Sequence, residues 1–273
     1  MDLSNKTIVV TGGGNGMGRE LVLNLLKRGN NVIAMDINES ALQETFRLAE
    51  NRKKALATMV VDVTSKDSID ELVNKSIAIF GQVDGIIDNA GVIQPFVKLN
   101  DTDFTIIKRV FDINFFGTLY MMKAFLPHLL TRPEACIVNI SSMGGFLPVP
   151  GQSVYGASKA AVKILTESLA SELTATNVRV TTVFPGAIFT NIKANSGLGK
   201  EKSAGKDPSK YAVAPKGVLE PAVAAEIIIK GVEQNKVRVF VGRDSKIMNA
   251  MYRLNPTFAS KLISKKIKEN HHI

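Results

Sequence analysis

Tyr155 and Lys159 stand four residues apart in the stretch Ser153-Val154-Tyr155-Gly156-Ala157-Ser158-Lys159-Ala160-Ala161. On a helix that spacing puts both on one face, one turn apart. The residues that follow support a helix, because Ala157, Ala161, Ile164, Leu165, Leu169 and Leu173 recur at three- and four-residue intervals. A phenol titrates near ~10 and is a poor proton-transfer group at neutral pH. A neighbouring ammonium favours the phenolate. Together the two can act as a general acid/base on an alcohol or carbonyl oxygen. The same spacing also occurs on solvated helix faces, so the pair needs company. Ser142 supplies it. Val138-Asn139-Ile140-Ser141-Ser142-Met143-Gly144-Gly145 reads as a strand running into a glycine-bearing loop, with Ser142 at the strand's carboxyl end. Ligands of open parallel sheets bind at that end. A hydroxyl there can hold a substrate oxygen while Tyr155 moves the proton; the plainer reading is a loop cap.

The elements around these residues follow from pattern. Residues 6–11 form a short β-branched run that leads into Gly12-Gly13-Gly14-Asn15-Gly16-Met17-Gly18. A helical pattern with Leu21, Val22, Leu25 and Leu26 on one side comes next, and Gly29 stops it. Strand, glycine turn and helix make a nucleotide cradle, since glycines admit a pyrophosphate and a helix N-terminus favours its charge. A second strand, Asn31 to Met35, ends at Asp36. A third, Ala55 to Val61, ends in Asp62-Val63, and a fourth, Val83 to Ile87, runs into Asp88-Asn89-Ala90-Gly91. Helices are expected over 40–50 and from Ile69 to Phe80. One long helical region is expected over about 101–130, with Phe104, Ile107, Phe111, Phe115, Leu119 and Met122 on its apolar side. Asn114 lies within it, and mid-helix asparagine has poor propensity and needs a reason. Arg179 to Phe184 reads as a sixth strand, stopped by Pro185-Gly186, and Val237 to Val241 as a last one. Strands alternating with helices argue an α/β protein with a doubly wound parallel sheet.

The chain resembles the short-chain dehydrogenase/reductase family over roughly residues 5–242. It has the Thr11-Gly12-x-x-x-Gly16-x-Gly18 spacing, then Ser142, Tyr155 and Lys159. The resemblance implies a Rossmann-type doubly wound sheet in one domain, here about 1–243, with a helical C-terminal extension over 244–273. It implies catalytic roles for Asn114, Ser142, Tyr155 and Lys159, the asparagine opening its helix locally and its carbonyl holding a water that links the lysine to solvent. It implies a nicotinamide cofactor held by Gly12, Asn15, Gly16, Met17 and Gly18, by Asp36 and Ile37, and by Asp62 and Val63 at the adenine. Asn89, Ala90 and Gly91 add to that site, with Tyr155 and Lys159, and Pro185, Gly186, Ile188 and Thr190 cover the nicotinamide. An acid at Asp36 accepts from ribose hydroxyls and repels a 2′-phosphate. The positions where NADP users of the family carry a basic residue hold Asn15 and Ile37, so NAD is the expected cofactor, although Arg19 lies nearby. Asp88 departs from the family's Asn-Asn-Ala-Gly, and a changed local hydrogen bond is expected there. The implied activity is hydride transfer between nicotinamide and a secondary alcohol or ketone. The alternative is a non-catalytic NADH-binding sensor or scaffold, since one fold hosts both. Homodimers or homotetramers are the common assemblies.

Composition bounds the rest. The chain has 273 residues, 45% hydrophobic and 22% charged, which suits one large globular domain. Cys136 is the single cysteine, inside an apolar run, and reads as a buried small hydrophobe. Intramolecular disulfides are excluded, which suits a reducing compartment and points to the cytoplasm. A first strand by Thr7 leaves no room for a signal peptide, and no apolar run reaches the ~18 residues of a membrane span. Three histidines make no convincing metal site. The net charge of +9 is lopsided: residues 1–189 balance at 18 basic and 18 acidic, whereas residues 190–273 carry 16 and 7. No nucleic-acid-binding motif accompanies that excess, and no nucleic-acid partner is expected.

Three readings concern the substrate side and the tail. Residues 187–220 look like a lid or substrate loop. Phe146, Leu147, Pro148 and Val149, with Ile188, Phe189 and Ile192, are expected to form apolar walls for the substrate or to pack on one another. Lys200 to Lys210 offers a polar alternative. In the tail, Ile247, Met248, Met251 and Tyr252 share a helix face, Pro256 interrupts, and Phe258, Leu262, Ile263 and Ile267 share another among Lys261, Lys265, Lys266 and Lys268. Such a basic amphipathic helix either lies on an anionic membrane or packs against its own or a partner subunit.

Overall fold

The computed structural model describes residues 1–190, 192, 196 and 217–271, with the side chains of the last helix as far as Ile267. Most of the expected lid, Lys200 to Lys210 included, lies outside the described residues. Seven strands form one parallel sheet in the order β3-β2-β1-β4-β5-β6-β7. They are β1 (Thr7–Thr11), β2 (Asn31–Asp36), β3 (Leu56–Val60), β4 (Gly85–Asp88), β5 (Ala135–Ile140), β6 (Val178–Pro185) and β7 (Arg238–Val241). The inner strands are buried on both faces, which explains their near-continuous apolar runs. Helices cover both sides. On one face α1 (Gly16–Lys27) and α7 (Pro221–Glu233) bury Leu21, Leu25, Ile228 and Ile229 against Ile8, Val10 and Val138. On the other, α3 (Lys66–Phe80), α5 (Thr118–Leu129) and α6 (Ser153–Glu172) bury Ile69, Met121, Phe125 and Leu169 against Val9, Ile33 and Ile137. α2 (Glu39–Leu48) follows β2.

The strand order reverses between β1 and its two neighbours, β2 and β4. Connections leave to opposite sides there, so a crevice opens beyond the carboxyl ends. The fold is thus the Rossmann-type doubly wound sheet that the motif order implied.

The helical region expected over 101–130 opens around Asn114, where a π-helical turn (Asp112–Gly117) joins α4 (Phe104–Phe111) to α5. The wider turn seats Gly117 against Val63, where a Cβ would come within 2.9 Å of Val63 Cγ2. Phe104, expected on the apolar side, is 85% exposed. On α6 the buried face is Val154, Ser158, Lys159, Val162, Thr166 and Leu169, while Ile164 faces outward. The helix turns polar side chains inward, and a reading by hydrophobic period misses that.

The tail forms α8 (Arg243–Leu254) and α9 (Pro256–His271), broken at Pro256 as expected. Ala259 and Ile263 are buried against Leu147, with Met248, Met251, Tyr252 and Ile267 around them. Phe258 and Leu262, assigned to that same face, remain exposed.

Candidate active site

The crevice is a cavity of about 800 Å³. Its walls include every residue that the family resemblance assigned to cofactor or catalysis except Asn114, which lies fully buried behind them. The fingerprint loop rests on backbone geometry that favours glycine: Gly12 has φ +65° and Gly16 φ +51°. A Cβ at Gly18 would collide with the Gly12 carbonyl, so only glycine lets α1 start so close to β1. Asn15 caps α1, its Oδ1 accepting from Gly16 N at 2.7 Å. Asn89 ties the loop to β4: its Nδ2 donates to Thr11 O at 3.1 Å, and Thr11 Oγ1 accepts from Asn89 N and Ala90 N at 3.0 and 3.1 Å.

Asp36 closes the second strand. Its Oδ2 accepts from Gly14 N at 3.0 Å and its Oδ1 from Asn38 N at 3.0 Å, which fixes the carboxylate at the cavity wall. Ile37 beside it is 69% exposed. Arg19 is engaged beneath the loop, donating from Nε and Nη2 to Gly14 O at 3.1 and 2.5 Å and from Nε to Thr45 Oγ1 at 3.1 Å. Asp62 Oδ1 accepts from Thr64 N at 2.9 Å and holds the turn in which Val63 faces the cavity. At the far end, Gly186 N donates to Val241 O at 2.9 Å and Ala187 N to Asp244 Oδ2 at 2.7 Å. These bonds fix the Pro185-Gly186 turn, with Ile188, Thr190 and Ile192 beyond it on the wall.

Ser142, Tyr155 and Lys159 meet between these two ends. Ser142 follows β5, and its Oγ accepts from Gly144 N at 3.1 Å, so the loop-cap reading holds alongside its position on the wall. Against the lowering expected from Lys159, burial pushes the Tyr155 phenol up, and only a hydrogen bond with the Ser142 hydroxyl draws it partly back. Lys159 is buried, its Nζ donating to Ile140 O at 2.9 Å. Burial lowers the lysine to about 8, against the field of Asp88, which raises it. Asn114 Oδ1 accepts from Val92 N at 2.8 Å, and its Nδ2 donates to Val92 O and Ser158 Oγ, both at 3.0 Å. A Cβ added to Gly91 would sit 3.2 Å from both Asn114 Oδ1 and Lys159 Nζ, so the two groups flank one small space.

Sequence reasoning missed two linkages that set this geometry. The Ser158 hydroxyl accepts from Asn114 and donates to Tyr155 O at 2.8 Å, joining the π-helical turn to α6. Gln94 Oε1 accepts from Tyr155 N at 2.8 Å, and Gln152 Nε2 donates to Gln94 O at 2.9 Å, which anchors the first turn of α6. A serine one residue before the lysine, at helical spacing from the tyrosine, was the available signal for the first. Nothing local marked the second. Phe146 to Val149 do not reach the cavity: Phe146 packs against Phe184, Phe240 and Tyr252 with ring centroids 5.7, 6.1 and 6.4 Å away, and Leu147 is buried under α9. The apolar wall is instead Val92, Ile93, Ile113, Ile188 and Ile192. His128 is bonded to the Val83 main chain, at 3.2 Å from its amide nitrogen. Cys136 is buried, as expected, and burial raises its thiol to about 12.

Comparison with known proteins agrees with this architecture. The short chain dehydrogenase family model matches residues 6–201. A Mycobacterium tuberculosis protein described as an oxidoreductase, SadH, is 32% identical over 264 residues, spanning 95% of this chain and 94% of that one. A short chain dehydrogenase/reductase from Burkholderia phymatum, solved in complex with NAD, superposes with TM-score 0.82 at 23% identity, covering 94% of this chain and 98% of the other. One from Burkholderia cenocepacia, solved with NADP, gives TM-score 0.78 at 23% identity over 96% and 99%. The chain is an oxidoreductase of the short-chain dehydrogenase/reductase family.

Proposed function

We propose that this protein transfers hydride between NAD and an apolar secondary alcohol or ketone, with Ser142, Tyr155 and Lys159 as the catalytic residues. The observation that carries the proposal is their convergence on one cavity wall, between the glycine fingerprint and the Pro185-Gly186 turn. The site fits a dinucleotide: the glycines leave room for a pyrophosphate, α1 points its N-terminus there, and Asp36 stands fixed at the end of β2. A bound nicotinamide supplies the hydride acceptor or donor. In the oxidation direction Tyr155 takes the hydroxyl proton of the alcohol, and in reduction it returns that proton to the oxygen. Ser142 orients the substrate oxygen through its hydroxyl. Lys159 stabilises the phenolate and holds the ribose of the cofactor. Asn114, bonded through Ser158 to the start of α6, keeps the lysine in line and completes a water relay to solvent. NAD rather than NADP is supported by the fixed Asp36 carboxylate, by Ile37 beside it, and by the engagement of Arg19 under the loop. An apolar substrate is supported by Val92, Ile93, Ile113, Ile188 and Ile192.

Tyr155→Phe tests the assignment and separates it from a non-catalytic sensor. The change removes only the hydroxyl, so turnover should fall by about 10²–10⁴-fold while NADH affinity stays within a few-fold. Wild-type turnover by the variant would overturn the catalytic role; absence of turnover by the wild type across alcohols and ketones would favour the sensor.

Two partner proposals rest on exposed side chains. Leu99, Phe104 and Ile164 are apolar and 60, 85 and 58% exposed, which supports their burial against further copies in a homo-oligomer. Residues 244–273 support a peripheral contact with an anionic membrane. Phe258 and Leu262, one turn apart on α9, are 56 and 44% exposed, and the same helix carries Lys261 and Lys265. Among the described residues no helix is long and apolar enough to cross a membrane.

A further inference from the structure

Asp88 is a buried acid that the mechanism above does not use. It ends β4, is 3% exposed, and pairs across the sheet with Asn139 of β5. Its Oδ1 has no hydrogen-bond partner among the described residues. A carboxylate buried in this way, with one oxygen unbonded, is among the costlier arrangements a fold can hold.

Hydrogen-bond counting around Asn139 bears on the protonation state. One end of the Asn139 amide lies 3.0 Å from Asp88 Oδ2 and 3.3 Å from Val138 O, and the other lies 2.9 Å from Thr166 Oγ1. Thr166 has one hydroxyl hydrogen, and Val162 O lies 2.6 Å from it. If that hydrogen goes to Val162, Thr166 can only accept. Asn139 must then turn its nitrogen to Thr166 and its oxygen to Asp88. Two oxygens 3.0 Å apart need a proton between them, and only the acid can supply it. If Asp88 is ionised, Asn139 must turn over, donate to Asp88, and take the Thr166 hydrogen away from Val162. Each state fixes the polarity of the whole chain.

We propose that Asp88 is a positioning residue for the Tyr155–Lys159 pair, carrying a proton in the free protein and reversing the Asn139–Thr166 chain when it ionises. The inference rests on the catalytic reading of Tyr155 and Lys159. The surroundings favour the neutral acid. β1 and β5, which flank β4, carry no charged side chain. On α6, Lys163 and Glu167 pair with each other at 2.9 Å, and on α5 His128 is bonded to Val83. Lys159 is the cation whose field reaches Asp88, and burial nevertheless holds the acid well above the ordinary carboxylate range. Ionisation puts a negative charge in reach of Lys159 and favours its ammonium, the form that the proposed mechanism uses. Asp88 therefore extends the pH range over which the lysine stays charged.

Asp88→Asn tests this. Asparagine has the shape of the neutral acid and donates as it does, but never ionises. The activity of the variant relative to wild type should fall about tenfold between pH 6 and pH 9, since one nearby charge moves a buried pKa by a unit or more. Two readouts need no turnover. Wild type at pH 6 should show the infrared carbonyl stretch of a protonated carboxyl that the variant lacks. The folded acid binds its proton more tightly than the unfolded one, so wild-type stability falls as pH rises above the unfolded carboxylate pKa. The Tm of the variant should therefore pull ahead of wild type as pH rises above about 4. A pH-independent activity ratio, a missing carboxyl band, a constant Tm difference, or a variant that does not fold would each overturn the proposal. A carboxyl band and a widening Tm gap in a protein without turnover would overturn the catalytic reading alone.

Discussion

Replacing Asp36 by asparagine should relax the choice of nucleotide while leaving the fingerprint loop in place. The carboxylate accepts from Gly14 N and Asn38 N, each at 3.0 Å. Asparagine keeps one of these acceptors and removes the charge. Alanine removes both, at about 1 kcal/mol of stability per lost bond, and so confounds charge with loop geometry. The 2′-phosphate that distinguishes NADP brings about −1.5 to −2 charge. Two unit charges about 5 Å apart repel by ~3 kcal/mol at an effective dielectric of 20, and by under ~1 kcal/mol in water. Asp36 is half-buried, so the repulsion falls between these limits. Scaled by the phosphate charge and screened by salt, it comes to about 2–4 kcal/mol, or about 30- to 1,000-fold in affinity. Arg19 keeps its charge while bonded to the neutral Gly14 O and Thr45 Oγ1, which sets the repulsion towards the lower end of that range. The Asp36→Asn variant should therefore raise NADPH affinity relative to NADH by at least about 30-fold, mainly through gain on NADPH. Fluorescence titration with each reduced nucleotide measures this without a substrate. Wild type binding NADPH as tightly as NADH, or an unchanged ratio in the variant, would refute the reasoning.

Burial holds the Tyr155 phenol above its ordinary pKa, so it is protonated at neutral pH; ketone reduction should hold on the neutral side, while alcohol oxidation climbs with pH until Lys159, at about 8, discharges. Profiles of kcat/KM against pH in both directions check this, and an oxidation optimum below the reduction optimum would contradict it. Ser158→Ala leaves the buried Asn114 Nδ2 one partner short and frees Tyr155 O. It should cost about 1–3 kcal/mol in chemical denaturation and lower kcat more than it raises KM. Co-sedimentation with vesicles should show binding that needs anionic lipid, fades with salt and disappears on truncation after Asn255; no binding at low salt would end the membrane proposal.

What the residues disclose by themselves depends on how local the physics is. Gly12, Gly16 and Gly18 were readable because each answers to a backbone requirement within one turn, and the strands because burial on both faces leaves apolar runs. The face of α6 was not. A helix that turns Ser158, Lys159 and Thr166 towards the sheet breaks the rule that apolar spacing marks the inside, and it does so because that face carries the chemistry. The opening of the helix at Asn114 was readable only through the family resemblance, because its cause, the Val92 main chain and the packing of Gly117 on Val63, comes from elsewhere in the chain. Phe146 to Val149 were misplaced because their partners, Tyr252, Ala259 and Ile263, lie more than a hundred residues away, in α8 and α9. Asp88 stands between these cases. One carboxylate where the family has an amide is visible in the letters. Its meaning is not, because the proton it holds is inferred from a single hydroxyl hydrogen on Thr166 that cannot serve both Val162 and Asn139.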